Sequence, residues 1–186
     1  IHMKVAIVHD WLTGMRGGER CLEAFCELFP DADLYTLLHI KGTVSPTIER
    51  HRITTSFVQS FPLAARYYRY YVPVFPFAIE RFRLPSYDLV LSSSHCVAKG
   101  IRPPAGGKHL CYIHSPMRYV WDQFDNYARG GRSGVVARLG MELFRKRLQA
   151  WDVASANGVD QFVANSHNIA GKVQRYYNRP TAVLHP

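Results

Sequence analysis

Four segments set polar, titratable side chains directly after a short apolar run. His9-Asp10 follows Val5–Val8, Ser92–His95 follows Asp88–Leu91, His114-Ser115 follows Leu110–Ile113, and Asn165-Ser166 follows Phe162–Ala164. The third is the richest: an imidazole ends the run, Pro116 fixes a turn, and the guanidinium of Arg118 stands four residues on. In an open parallel sheet, ligands bind outside the carboxyl ends of the strands, so this segment belongs at a ligand mouth. The competing reading is a histidine satisfied by neighbouring backbone and a proline-containing exit loop. A fifth segment is Gly14-Met15-Arg16-Gly17-Gly18-Glu19. It leads into a helix whose N-terminal N–H groups a ligand could approach over Gly17-Gly18. The alternative for the glycines is a turn that needs positive φ.

The elements that must position these groups follow from periodicity. Val5–Val8, Leu89–Leu91, Leu110–Ile113, Phe162–Ala164 and Thr181–Leu184 are continuous apolar or β-branched runs, as expected of strands buried on both faces. Between the first two lies a helix with Leu22, Phe25, Leu28 and Phe29 on one face and Glu19, Glu23 and Glu27 on the other, stopped by Pro30. A short strand is expected near Ile53, one helical turn over 97–101, and a long helix from about Gly134 to Ala156. The stripe of that helix is Val136, Leu139, Leu143, Phe144, Leu148, Trp151 and Ala154, and Asn157-Gly158 stops it. The loop Tyr127–Arg132 before it is rich in glycine and arginine and is expected to be mobile. A last helix, capped by Ser166, runs to Tyr177. The fold class is α/β: a Rossmann-like, doubly wound parallel sheet with a polar lip along one edge.

Composition narrows the partners. The 186 residues suffice for one domain, and no run approaches the ~20 apolar residues that span a membrane. Ile1-His2 before Met3 is read as a cloning scar. Cys21, Cys26, Cys96 and Cys111 are scattered, which suits buried thiols in a reducing compartment. Residues 61–150 hold 14 Lys/Arg against 5 Asp/Glu, whereas residues 1–60 hold 6 against 7. A localised basic region implies an anionic partner. Its densest part is Phe61–Leu84, where Arg66, Arg69, Arg81 and Arg83 alternate with rings that include Tyr67 and Tyr70. Pro73 and Pro76 are expected to divide it into two short helices. Such a segment suits a membrane–water interface, stacking on single-stranded nucleic acid, or a helical hairpin whose rings are core.

Two motifs are excluded. The glycine turn is not G-x-G-x-x-G, and the second expected strand, Leu34–Leu38, runs into His39 with no acidic residue at its end to hold a ribose, which disfavours a nicotinamide dinucleotide. Asp31-Ala32-Asp33 has the D-x-D spacing of metal-dependent sugar transferases but lies at the start of a strand, so it reads as turn chemistry.

Four stretches together resemble family 4 glycosyltransferases: Lys4–Leu12, Gly17-Gly18-Glu19-Arg20, Tyr112–Asp122 and Phe162–Ser166. The branch is that of bacterial mannosyltransferases of O-antigen and exopolysaccharide assembly. The resemblance covers nearly all of residues 3–186. It implies the N-terminal, acceptor-side half of a GT-B fold, with a separate C-terminal domain holding the nucleotide-sugar. It implies retention of anomeric configuration, and no metal or other cofactor. Gly17 and Gly18 would lie beneath the donor diphosphate, and His114 would face the donor sugar as the catalytic group. Asp10, Ser94, His95, Arg118 and Ser166 would face the acceptor. The partners implied are a nucleotide-sugar such as GDP-mannose, a lipid-linked glycan acceptor, and the anionic inner face of the membrane. Arg66, Tyr67, Arg69, Tyr70, Arg81 and Arg83 would touch that membrane from the cytoplasmic side. This chain alone is expected to be inactive.

Overall fold

The computed structural model describes residues 3–121 and 135–186, with the side chains of 135–139 and 141 excepted. Seven strands form one all-parallel sheet: β1 (Val5–His9), β2 (Asp33–Thr36), β3 (Ile53–Thr55), β4 (Leu89–Ser94), β5 (Lys108–Ile113), β6 (Gln161–Ala164) and β7 (Thr181–Val183). Their order is β3-β2-β1-β4-β5-β6-β7. The chain winds outward from β1 in one direction and then from β4 in the other, so the topology reverses between β1 and β4. That is the doubly wound Rossmann-like arrangement, and the reversal leaves a crevice at the carboxyl ends of those two strands.

The helices are α1 (Gly17–Leu28), α2 (Pro46–Glu49), α3 (Ala64–Tyr67), α4 (Phe75–Glu80), α5 (Arg118–Trp121), α6 (Val135–Ser155) and α7 (His167–Tyr177). One face of the sheet packs Val5, Ile7 and Leu34 against Leu22 and Cys26 of α1 and Ile48 of α2. The other packs Ala6, Val8 and Val90 against Tyr68, Phe75 and Ile79 of the 61–84 segment and Leu148 of α6. A third cluster joins Cys111, Ile113 and Phe162 to Ile169, Val173 and Tyr177 of α7. Each β1 residue on one face is followed by one on the other, and both are buried because helices cover both sides.

Several details differ from the sequence reading. Glu19 lies under the start of α1, 3% exposed, while Leu28 is 70% exposed. Of the α6 stripe, among the described side chains only Leu148 is buried, with Trp151 packed beside it; Leu143 and Phe144 face solvent. The side chains of Val136 and Leu139 are outside what the structure describes, as are the loop Tyr127–Arg132 and Asp122. Residues 68–74 form a 3-10 turn that contains Pro73, and Pro76 sits in the first turn of α4, so the prolines shape one continuous helical path. Asp33 pairs with Arg52 through two bonds of 2.7 and 2.8 Å and accepts the Tyr87 hydroxyl at 2.5 Å, a brace at the amino end of the sheet. Cys21 is half-buried; the other three thiols are buried.

Candidate functional site at the carboxyl edge of the sheet

The register brings the strand ends level. His9 pairs with Ser93, Ser93 with Tyr112, and Ile113 with Ala164. Side chains alternate between faces, so His9, Ser93 and Tyr112 share the face on which α1 lies. His114 follows β5, and its N–H donates to the Ser94 carbonyl at 2.8 Å. Here the chain forms a cavity of about 1070 Å³ whose lining includes Gly17, Gly18, His95, His114, Arg118 and Asn165. Its polar and aromatic part also includes Trp11, Tyr112, Tyr119, Arg16, Glu19, Arg20, Arg69 and His185; Ala24, Phe25, Leu28 and Leu184 form an apolar flank.

The first turn of α1 roofs the site. Gly17 and Gly18 are not among the glycines with positive φ, which among the described residues are Gly14, Gly42 and Gly106. Space is what the pair provides. A Cβ on Gly18 would stand 3.6 Å from Cε1 of His9 and 3.9 Å from Nε2 of His114, and one on Gly17 would meet nothing within 4 Å. The first N–H groups of a helix have no intrahelical acceptor and carry partial positive charge. Glu19 takes one backbone donor nearby, the N–H of Arg16 at 3.1 Å.

His114 is the innermost polar group of the floor, 9% exposed. Its Nε2 lies 2.9 Å from Oγ of Ser93, and its carbonyl accepts from Nδ2 of Asn165 at 3.3 Å. Burial first, then the nearby His9 and His95 rings, push its pKa down to about 3, so the ring is neutral at pH 7. His95, beside it, is held by a carboxylate: Nδ1 lies 3.1 Å from Oδ2 of Asp10. An N–H at Nδ1 satisfies that carboxylate and leaves Nε2 of His95 as a lone pair. The Trp11 ring meets His95 edge-on at 4.5 Å. Arg118 stands at the rim, with its Nε donating to Oγ of Ser115 at 3.2 Å.

Gly17, Gly18, His95, His114 and Arg118 thus converge on one cavity. Three of the residues expected at the acceptor do not face it. Asp10 is fully buried and accepts four backbone N–H groups, those of His95, Cys96, Val97 and Ala98, at 2.6–3.0 Å. Burial alone would raise its pKa. The His95 and His9 rings and these amides more than offset that, and the carboxyl sits below its ordinary range. Asp10 therefore shapes the loop that carries His95. Ser94 is 1% exposed and accepts the Lys99 N–H at 3.2 Å, because strand alternation turns it to the face away from α1. Ser166 caps α7, accepting the Ile169 N–H at 3.3 Å, and its neighbour Asn165 lines the cavity instead.

The 61–84 segment divides between two roles. Tyr68 and Phe75 are core, while Tyr67, Tyr70 and Phe77 are exposed, Tyr70 at 78%. Arg66 lies over the Tyr67 ring at 5.3 Å and Arg81 over Phe77 at 5.0 Å; Arg83 is also exposed. Arg69 is exposed but also lines the cavity. No helix among the described residues is long and apolar enough to cross a membrane.

Sequence reasoning set Asn165, His9 and Ser93 on the polar lip but gave none of them a role, and it placed Glu19 on the outer face of its helix, whereas Asn165 and Glu19 line the cavity and His9 and Ser93 are buried behind His114. The signal for Ser93 was present in the alternation of β4, which separates it from Ser92 and Ser94. No protein-family model matches the chain, and no curated protein matches it.

Proposed function

We propose that residues 3–186 are the acceptor-side domain of a glycosyltransferase of the GT-B type, moving a sugar from a nucleotide-sugar to a lipid-linked or polysaccharide acceptor. The observation that carries this reading is the stacking of the α1 N-terminus over the neutral His114, with Arg118 at the rim, at the point where the sheet order reverses. When a glycosidic bond to a nucleoside diphosphate breaks, negative charge develops on the departing phosphate. The N–H groups at Gly17 and Gly18 are oriented before that charge appears and stabilise it without reorganising. A neutral His114 can hydrogen-bond a sugar hydroxyl without adding a cation beneath the sugar. Arg118 can hold an acceptor phosphate through two parallel N–H bonds. Retention of configuration, independence of metal, and mannose from GDP-mannose as donor come from the family resemblance of Tyr112–Asp122. So does a second domain that holds the nucleotide.

The exposed Arg66, Tyr67, Tyr70, Arg81 and Arg83 fit an anionic membrane surface on the cytoplasmic side, where a lipid-linked acceptor is presented. Arg69 stands between that surface and the cavity.

The test is sugar transfer by the 186-residue chain and by the complete gene product, side by side, with GDP-mannose and a membrane-lipid extract. Transfer by the complete product alone is expected. Turnover by the short chain would overturn the need for a second domain, and no transfer with any nucleotide-sugar by either would overturn the enzyme class.

A further inference from the structure

Beneath the glycine turn runs a line of buried polar groups that stops at the cavity floor. Oε1 of Glu19 lies 3.7 Å from Nε2 of His9. Nδ1 of His9 lies 3.1 Å from Oγ of Ser93, and the same Oγ is 2.9 Å from Nε2 of His114. His9 and Ser93 are 0% exposed; of the four, only Glu19, 3% exposed, and His114 border the cavity.

Protons along such a line are not independent. Each nitrogen of a neutral imidazole either donates or accepts, and a serine hydroxyl has one proton to give. Nε2 of His9 is buried without a hydrogen-bond partner and faces the Glu19 carboxylate. A carboxylate repels a lone pair and attracts an N–H, so in neutral His9 the proton sits on Nε2. Nδ1 of His9 is then an acceptor and takes the Ser93 O–H. With its proton committed, Oγ of Ser93 can only accept from His114, which must therefore carry its own proton on Nε2. Nδ1 of His114 has no hydrogen-bond partner among the described residues and is left as a lone pair.

We propose that Glu19 is a positioning residue which, through His9 and Ser93, fixes His114 as the Nε2–H tautomer, so that the cavity floor offers a hydrogen-bond acceptor at Nδ1. The ligand group that complements it is a hydroxyl donor. His95 offers a second acceptor at Nε2 by the same logic from Asp10. A phosphate, which at neutral pH mostly accepts, is turned away from both rings and toward the N–H groups of α1. Only the identification of that hydroxyl as a sugar's rests on the glycosyltransferase reading.

Nitrogen–proton correlation NMR of the 186-residue chain, labelled at histidine nitrogen, reads the tautomer of each ring. The measurement belongs at about pH 7.5, a unit above the ordinary imidazole pKa of about 6.5. A His114 ring protonated at Nε2 and bare at Nδ1 is the expected pattern. A proton on Nδ1 in the wild-type chain overturns the proposal, whatever the variants do. Glu19→Gln keeps an oxygen for the Arg16 N–H but gives His9 an amide that can also donate, and Ser93→Ala cuts the line. Both should shift His114 toward a mixture of tautomers; an unchanged pattern in both overturns the relay. His109 is the internal control. Its ring is held at 2.8 Å by Ser92 and at 3.0 Å by the Gly158 carbonyl, and its signals should stay fixed in a folded variant. The readout needs neither donor nor acceptor, so a failed transfer assay bears on the enzyme reading and leaves the tautomer result standing.

Discussion

A methyl group on Gly18 would meet His9 and His114 at ordinary contact distances, 3.6 and 3.9 Å, so the protein can accommodate it. Gly18→Ala should melt at or slightly above the wild-type temperature, since alanine favours a helix by up to ~1 kcal/mol over glycine. On the proposed glycosyltransferase reading, transfer by the complete gene product should nevertheless fall at least about tenfold, because the methyl would displace a ligand over His114 and small misplacements are costly. Normal activity in Gly18→Ala would show that nothing approaches the helix there. At the same scale, two buried histidines tie stability to pH. Burial pushes His114 down to about 3 and His109 down to about 4. In the unfolded chain both bind protons near pH 6.5, so the unfolded state holds more protons throughout the window between. Their contribution is complete above pH 6.5 and is lost as pH falls toward 4, at about 1.4 kcal/mol per pH unit for each ring. Urea unfolding across that window should show the slope, and His114→Asn should reduce it by that ring's share, about 1.4 kcal/mol per pH unit.

At the scale of elements, the exit from β5 and the helices around it are tied by one buried ion pair. Lys99 reaches the Asp152 carboxylate at 2.9 Å, the Asp152 carbonyl at 2.6 Å and the Ser155 hydroxyl at 2.5 Å. The other carboxylate oxygen accepts from Trp121 Nε1 at 2.8 Å and the Tyr177 hydroxyl at 2.6 Å. Lysine and aspartate are both within 1% of full burial, and the pair joins the turn after β4, α5, α6 and α7. Lys99→Met leaves the carboxylate buried without its cation and should lower unfolding free energy by ~3–5 kcal/mol. Adding Asp152→Leu should recover only part of that, because Trp121 and Tyr177 then lose their acceptor. Beside it, a Cβ on Gly100 would stand 2.5 Å from the Trp151 ring, whose Nε1 is anchored to Glu80 at 2.6 Å. Gly100→Ala should therefore cost ~1–3 kcal/mol in chemical denaturation, an overpacking effect.

For the molecule as a whole, the 61–84 segment, where Tyr70 and Phe77 project, holds four arginines against one glutamate and so +3 of the net charge of +9. Each basic residue near anionic headgroups contributes ~1 kcal/mol. Replacing Arg66, Arg81 and Arg83 together by glutamine should weaken binding to phosphatidylglycerol vesicles by about a hundredfold at low salt. Arg69 is left in place because it also lines the cavity. Unchanged vesicle binding by the triple variant would remove this surface from the membrane. Tight, steeply salt-dependent binding to single-stranded nucleic acid would favour the other use of an arginine–aromatic surface.

The strands, the direction of their polar ends and the glycine-led helix were legible in the sequence because each depends on local pattern: apolar runs, a turn, a 3.6-residue period. That is why β6 and α7 fall where Phe162–Ala164 and a Ser166 cap indicate, and why His114 and Gly18 meet at one edge. Which polar side chains face a ligand depends on contacts between segments remote in sequence. Asp10 reads as an exposed acid at a strand end until the loop after β4 folds over it with four N–H groups. Alternation along β4 puts Ser93 and Ser94 on opposite faces, but only pairing with β1 and β5 and the packing of α1 decide which of them meets that helix. Glu19 sits on the acidic stripe of its helix, yet the first turn of α1 rests on His9, so the glutamate is enclosed with it. Local order is written in nearest neighbours along the chain. The polarity of a site is decided by which backbone donors and rings the tertiary fold brings within about 3 Å of each group.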